Sequence, residues 1–455
     1  MADEIRALVQ RRATIKAQLT RFKGYLEKWS ERPDEQQLIE RFEKFKTTWD
    51  SFDEVQKRRL AQEPQLREEY TNFLNEYERL GHVTEISVSD VTEDGYFIPH
   101  HPVFKRDSHT TKLRVVFNAS SKSSSGVLLN DVLLAGPTLQ EDLFSIVTRF
   151  RTHRYALSAD IEKMYRQVGV HPEDVKYQMI LWRKSPKDPI KIYGLSTATY
   201  GTVPIACFVV QSLLQLYKDE RKRFPLACRV LLEDFYIDDA LTGTSKLEEA
   251  QRLRDELIKL LACGGFHLRK WCSNEPSLLE PLLEKSMDPY ICLSESETQK
   301  TLGIHWHPRD DHLIHVVKPF TDYQRTTKKT MLSQVASLFD SLGLVGPVIV
   351  RAKIMLQRLW ENKLDWDESI SVDIATSWNK YKEQIELLNN FVIPRQITTE
   401  NAINIQLHGF CDASEKSLWS RAIPEIYNLF GNPHSSIDLF QNASSANQEI
   451  IFTPA

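Results

Sequence analysis

The sequence predicts an α+β fold, on three observations. The first eighty residues carry apolar positions at helical spacing, strand-like and helical runs alternate between residues 118 and 310, and residues 330–361 read as helix again. In order along the chain, Ile5, Leu8, Val9, Ala13, Ile15, Leu19, Phe22 and Leu26 define a first helix. Pro33 and Asp34 open a second through Leu38, Phe42, Phe45, Trp49 and Phe52, so residues 1–57 form a helical segment. Residues 58–83 continue helically, with Pro64 placed at a turn or a first helical position. Ile86–His101 and Lys112–Phe117 read as strands joined by the polar turn DSHTT. The helical stretch MLSQVASLFDSLGLVGPVIVRAKIMLQRLW breaks at Gly343–Pro347. After about residue 417 periodicity gives way to Ser, Asn and Pro, and an irregular, poorly ordered tail is expected.

Composition bounds the function only loosely. The 455 residues suffice for two to four domains, and 41% apolar with 26% charged residues is ordinary globular protein. No run of eighteen apolar residues exists, and the charged N-terminus lacks the apolar stretch of a secretory signal, so no membrane role is expected. Six scattered cysteines without C-x-x-C pairing fit reduced thiols. A net charge of −4 does not announce a nucleic-acid binder. It does not exclude one either, because basic residues need line only one groove.

Two segments carry chemistry. In FYIDDAL, residues 235–241, adjacent carboxylates sit between β-favouring residues, and a strand–turn–strand reading lifts Asp238 and Asp239 to a hairpin tip. Converging carboxylates repel unless a divalent cation neutralises them, although an Asp-Asp turn can equally be a solvated loop. In LSADIEKMYRQV, residues 157–168, Asp160 ends a strand-like run and precedes a helical one. It reads either as a carboxylate at a sheet edge or as a helix N-cap. Two cations about 4 Å apart, clamped by such carboxylates, would activate a primer 3′-hydroxyl and stabilise leaving pyrophosphate.

These segments resemble the palm of reverse transcriptases, specifically that of BEL/Pao-class long-terminal-repeat retrotransposons. The resemblance covers roughly residues 58–420 and implies a right-hand polymerase with fingers, palm and thumb. It implies that Asp160, Asp238 and Asp239 bind Mg²⁺ or Mn²⁺ together with the Ile161 backbone carbonyl, and that Tyr165 screens out a ribose 2′-hydroxyl. TATYGTVPIACF, residues 197–208, resembles the motif beneath nucleotide and template, with Tyr200 and Gly201 at its turn. GGFHLRKW, residues 264–271, implies Lys270 near the incoming phosphates, and TLGIHW, residues 301–306, resembles the primer grip. KRDSHTTKLRVVFNAS, residues 105–120, resembles the fingers hairpin, with Lys105 or Arg106 and Arg114 on phosphate oxygens. VKPFTDYQRTTKKTMLSQVASLFDSLGLVGPV resembles the class-specific stretch after the palm, with Lys318, Arg325, Lys328 and Lys329 either tracking a duplex or solvated. RRATIKAQLTRFKGYLEKW and KFKTTWDSFDEVQ resemble the capsid-type Gag region.

The pattern also departs from the family. No Asp-Ser/Thr-Gly protease loop and no zinc knuckle is present, so Gag-like and polymerase-like parts meet directly near residues 51–58. LHGFCDASEKS, residues 407–417, resembles the opening RNase H strand with Asp412 as first ligand, and the resemblance stops there. Asn118 replaces a usual Asp, and the Pro-Ile-Ala-Cys order in residues 204–207 is atypical.

The expected organisation is a Gag-like helical segment (1–57), fingers and palm (58–310), a thumb- or connection-like helical region (311–400) and a truncated RNase H start with tail (401–455). The expected function is RNA-directed DNA polymerisation within a retrotransposon polyprotein, without RNase H activity. Its partners are an RNA or DNA template with primer and deoxynucleoside triphosphates, with self-association through the N-terminal helices. A cytoplasmic, particle-associated or nuclear location is expected. The competing readings are a catalytically decayed element acting through Gag-like self-association or nucleic-acid binding, and a nuclease using the same carboxylates.

Overall fold

The computed structural model describes residues 64–91, 95–104, 113–121, 128–184, 187–284, 298–320 and 325–398, and the backbone of strands within 404–443. The helices expected over residues 1–57, and the turn DSHTT with Lys105 and Arg106, lie outside the described residues. The helices are α1 (Pro64–Arg79), α2 (Leu129–Val132), α3 (Leu143–Phe150), α4 (Ile205–Glu220), α5 (Pro225–Glu233), α6 (Leu247–Cys263), α7 (Glu280–Glu284), α8 (Lys328–Ala336), α9 (Gly346–Glu361) and α10 (Val372–Ile385). The strands begin with β1 (Val83–Ile86), β2 (His100–Phe104), β3 (Leu113–Phe117), β4 (Tyr155–Ile161), β5 (Met179–Trp182) and β6 (Lys191–Leu195). They continue with β7 (Phe235–Tyr236), β8 (Asp239–Thr244), β9 (Leu268–Ser273), β10 (Gln299–Thr301), β11 (Ile304–His307), β12 (His312–Ile314) and β13 (Val392–Pro394). The last are β14 (Asn404–Ala413), β15 (Leu418–Tyr427), β16 (Pro433–His434) and β17 (Leu439–Ala443). The chain divides into two compact units, one of residues 1–139 with 163–213, the other of 140–162 with 214–455.

In the first unit, α1 starts at Pro64, whose missing N–H costs nothing there. It ends at Gly81, which takes φ 72° while His82 donates back to the Tyr77 carbonyl at 2.9 Å. Leu66, Tyr70, Leu74 and Tyr77 fall on one helical face and are buried with Val115, Phe117, Tyr193 and Leu195. The strand expected over Ile86–His101 is not formed as such. Among the described residues only its ends fall in strands, Ile86 closing β1 and His100 opening β2, and the two have different partners. β1 pairs with β6 (Val83 opposite Leu195), and β2 pairs with β3 (His100 opposite Phe117). A short 3₁₀ turn at Val88–Asp90 and the Pro99 ring interrupt the ladder between them. In β3 Leu113, Val115 and Phe117 are buried and Arg114 is exposed, the two-residue period of a half-covered strand.

In the second unit, an antiparallel sheet runs β7–β8–β4–β9. Ile146, Val147 and Phe150 of α3 pack with Ala156, Leu241, Cys272 and Trp306 in one buried cluster. Ala250, Leu253, Leu257, Leu260 and Leu261 form the buried stripe of α6, which stops at Gly264–Gly265. The sheet β10–β11–β12–β13 follows. Helices α8, α9 and α10 then bury Met331, Ala352, Leu359, Ile374 and Trp378 against one another. The expected break is there: α9 opens at Gly346 with Pro347 in its first turn, and the Asp340 carboxylate accepts from the Leu344 and Val345 N–H groups, both at 2.8 Å.

The irregular tail expected after about residue 417 differs in the structure. β15 pairs with β14 along its length, and with β17 (Leu418 opposite Ala443) and β16 (Ile426 opposite His434) on its other side. Pro424 lies in the interval between the β17 and β16 pairings, opposite Leu407 of β14. Among the described residues no helix is long and apolar enough to cross a membrane.

Candidate functional site

The carboxylate site is built by β4, the β7–β8 hairpin and β9. Antiparallel pairing sets Tyr155 opposite Thr244 and continues in register to Asp160 opposite Asp239. Asp239 therefore stands opposite Asp160 at the end of a ladder whose inner pairs carry buried Ala156, Leu157 and Leu241, and Asp238 precedes it in the loop. The hairpin closes with Tyr236 opposite Asp239, leaving Ile237 and Asp238 as a two-residue loop. Ile237 takes φ 58°, a conformation that a β-branched side chain resists. The Ile161 N–H donates to the Asp238 carbonyl at 2.8 Å, which ties the loop to the end of β4.

The base of the hairpin is held by a pair that the sequence did not announce. Asp234 is buried and accepts from Arg149 Nε at 3.0 Å and from the Thr242 hydroxyl at 2.7 Å. It links α3, the start of β7 and β8. No local pattern marks it, since its partner lies 85 residues earlier.

On the other side of β4 the register slips. Ser158 pairs with Cys272 and Asp160 with Arg269, so Lys270 and Trp271 stand opposite the single residue Ala159. Lys270 sits in this bulge with φ 54°, and its ammonium forms an ion pair with the Asp160 carboxylate. Beside it Arg269 pairs with Glu162 at 2.7 Å. Burial pushes the Asp239 carboxyl up to about 7, helped by the negative charges of Asp238 and Asp160 and opposed by Lys270. Carboxylate oxygens are the donor type that a hard divalent cation takes, and closing these three around one ion would need their side chains to draw nearer than they stand here.

Asp160 thus faces Asp239 across the ladder, Ile161 is tied to the Asp238 backbone and Lys270 pairs with Asp160. Among the described residues, however, the three carboxylates do not form a group with oxygens within 4.8 Å of one another. The remaining candidates lie in the first unit. Tyr165 is half-buried in a 3₁₀ turn, Met164–Gln167, entered through Lys163 at φ 49° rather than through an α-helix. Arg114 is on the exposed face of β3. Tyr200 packs edge-on against Phe117 with ring centroids 5.4 Å apart, and burial beside Tyr77 pushes its hydroxyl pKa far up. Gly201 takes φ 101°, and a Cβ there would stand 2.2 Å from the Phe117 carbonyl oxygen, so no other residue fits that turn. Arg166 lies over the Tyr77 ring at 4.2 Å and pairs with Glu76 at 3.1 Å, fixing the turn that carries Tyr165.

Comparisons with known proteins give one family match and a likeness of fold. The family described as Pao retrotransposon-like RNaseH-like domain matches residues 327–422, well under half of the chain. The match runs from the start of α8 into β15, across the boundary expected near residue 400. The mixed α/β fold is similar to that of the foamy viral protease-reverse transcriptase in complex with RNA/DNA hybrid. The TM-score is 0.51 at 14% identity, over 84% of this chain and 43% of that one. This chain therefore spans less than half the length of that structure. A second structure, the foamy viral protease-reverse transcriptase dRH in complex with ds DNA, aligns at TM-score 0.49 and 16% identity, over 83% of this chain and 56% of that one. No curated protein matches the sequence.

Proposed function

We propose that the chain is the RNA-directed DNA polymerase portion of a BEL/Pao-class retrotransposon polyprotein, with Asp160, Asp238 and Asp239 as its metal-binding carboxylates. The observation that carries this reading is the register of Asp160 opposite Asp239, beside a hairpin loop held at Ile237 in a strained conformation. Strain and opposed like charges are retained where a site is organised for something else. Asp160, Asp238, Asp239 and the Ile161 carbonyl would hold Mg²⁺ or Mn²⁺. When bound, the ions supply charge neutralisation around the attacking 3′-oxygen and the transferred phosphoryl group.

The chain's own residues bind and orient. Lys270 ion-pairs with Asp160 and is available to exchange that carboxylate for a triphosphate oxygen once a cation takes its place. Arg114, with Lys105 or Arg106, holds phosphate oxygens by charge-assisted contacts. Tyr165 excludes a ribose 2′-hydroxyl, and Tyr200 and Gly201 shape the nucleotide and template platform. Template, primer and deoxynucleoside triphosphates are the partners, and nucleic acid is also what the similar foamy viral protein carries in its structure. Single-nucleotide extension of a DNA primer on an RNA template, with Mg²⁺ or Mn²⁺ supplied, tests the proposal. Extension by the full chain is expected. Tight primer–template binding without extension would instead favour the decayed, non-catalytic reading.

The match over residues 327–422 favours a second element, an RNase H-like segment following the polymerase. Asp412, opposite Trp419 in the β14–β15 ladder, is its one candidate ligand from the sequence. One carboxylate does not hold two ions, so the segment contributes no hybrid cleavage. Degradation of RNA in a hybrid that is lost in an Asp412→Asn protein would overturn this.

A further inference from the structure

The β11–β12 hairpin carries a ligand set that involves none of the three aspartates. His307 and His312 are opposed across the ladder and flank the four-residue turn Pro308–Asp311. Their rings stack, with centroids 5.5 Å apart and planes 16° from parallel. Asp310 lies in the turn between them, with Oδ2 3.4 Å from His307 Nδ1 and its backbone carbonyl 3.1 Å from His312 Nδ1. One ligand atom from each of the three residues lies within 4.8 Å of the other two. The His307 side chain is only 15% exposed and that of Asp310 59%, a site sheltered at its base and open on one side.

The turn that carries these residues is anchored from beneath. Asp311 takes φ 50° and its carboxylate accepts from Arg395 Nε and Nη2 at 2.6 and 2.7 Å, from Trp306 Nε1 at 3.0 Å and from Asn274 Nδ2 at 3.1 Å. Arg395 is fully buried. The backbone on the carboxyl side of Asp310 is therefore held by an ion pair to a buried arginine before any ligand arrives. Such preorganisation is what makes a small ligand set effective.

We propose that His307, Asp310 and His312 bind one divalent transition metal ion of the zinc class, with the remaining coordination position open to water. Two imidazoles and one carboxylate form the N₂O set that borderline cations take, in contrast to the all-oxygen set at Asp160, Asp238 and Asp239. The two sites therefore select different ions. Bound metal clips the tip of the β11–β12 hairpin, and bears on the carboxylate site only through the fold.

The test is a titration of the metal-stripped full chain with Zn²⁺ against a chromophoric chelator, and with Co²⁺ followed by visible absorption, both in excess Mg²⁺ to occupy the carboxylates. One Zn²⁺ equivalent held against Mg²⁺, and a Co²⁺ spectrum of low-coordinate nitrogen–oxygen type, are expected. A His307→Asn, His312→Asn double variant should weaken Zn²⁺ binding by about 100-fold or more. Asp310→Asn, a change at a largely exposed side chain that leaves the Asp311 anchor intact, should weaken it as well and controls for misfolding. Zn²⁺ binding that is displaced by Mg²⁺, or that is unchanged in the Asp310→Asn and double variants, would overturn the proposal.

Discussion

Asp160 and Asp239 stand directly opposite one another across the β4–β8 ladder, with the Lys270 ammonium on Asp160. Like charges at opposed positions of a sheet destabilise it, and burial pushes the Asp239 carboxyl up to about 7. In the unfolded chain the same group titrates near 4. As pH rises from about 4 to about 7 the unfolded chain therefore ionises Asp239 while the fold resists, and the metal-free protein loses stability over that window. Asp239→Asn should remove this loss. In the presence of a chelator it should melt higher than the parent at pH 8, by on the order of 2 kcal/mol, and converge with it near pH 4. Equal melting of the two proteins at pH 8 would show that the carboxylates do not strain one another.

Lys270 combines an ion pair with a left-handed backbone, and the two can be separated. Lys270→Ala keeps the unfavourable φ and loses the pair, whereas Lys270→Gly loses the pair and relieves the φ. Gly should therefore be more stable than Ala here by about 1 kcal/mol, the reverse of the order in an ordinary strand. Chemical denaturation of both variants decides it, and an Ala variant as stable as the Gly variant would mean that the bulge places no demand on residue 270.

Gly201→Ala should be among the most damaging small changes in the first unit. Its Cβ would meet the Phe117 carbonyl oxygen at 2.2 Å, with φ at 101°. Backbone, rather than a flexible side chain, would have to move, so a loss of about 3 kcal/mol is expected. A melting temperature within one degree or so of the parent would contradict that turn geometry.

Much of the carboxylate site was legible because its signals are local. FYIDDAL has strand formers on both sides of a two-residue loop, and Asp160 closes an apolar run, so hairpin and strand edge were among the readings that propensity offered, beside a solvated turn and a helix N-cap. Pro64 and the Gly346–Pro347 step marked helix starts for the same reason. What depends on partner choice was not legible. The strand-like run 86–101 does not say that most of its described residues stay outside the sheets, nor that β1 before it joins β6 while β2 at its end joins β3. Arg149–Asp234 and the opposition of His307 and His312 exist only once the register is set. The strand β15 was hidden by Pro424, a residue that reads against a strand, although it stands in register with Leu407 of β14.

Tyr165 supplies a specificity test that alters none of the candidate metal carboxylates. It sits in a turn fixed by Arg166, Glu76 and Tyr77, so truncating it should leave the fold standing. Tyr165→Val is expected to incorporate ribonucleotides at least about tenfold more readily relative to deoxynucleotides, a change of about 1.4 kcal/mol in discrimination. Competitive single-nucleotide incorporation measures it, and unchanged discrimination would remove Tyr165 from the nucleotide site.

The most direct test of the polymerase assignment is the extension rate of an Asp160→Asn protein, measured beside the parent on the same RNA template and DNA primer with Mg²⁺. Asp160 is the one carboxylate that β4 contributes, and its loss leaves Asp238 and Asp239 without the partner that the ladder sets opposite them. The account predicts a fold that melts as the parent does and an extension rate lower by about 1000-fold. An Asp160→Asn protein that extends the primer at the parent's rate would contradict it.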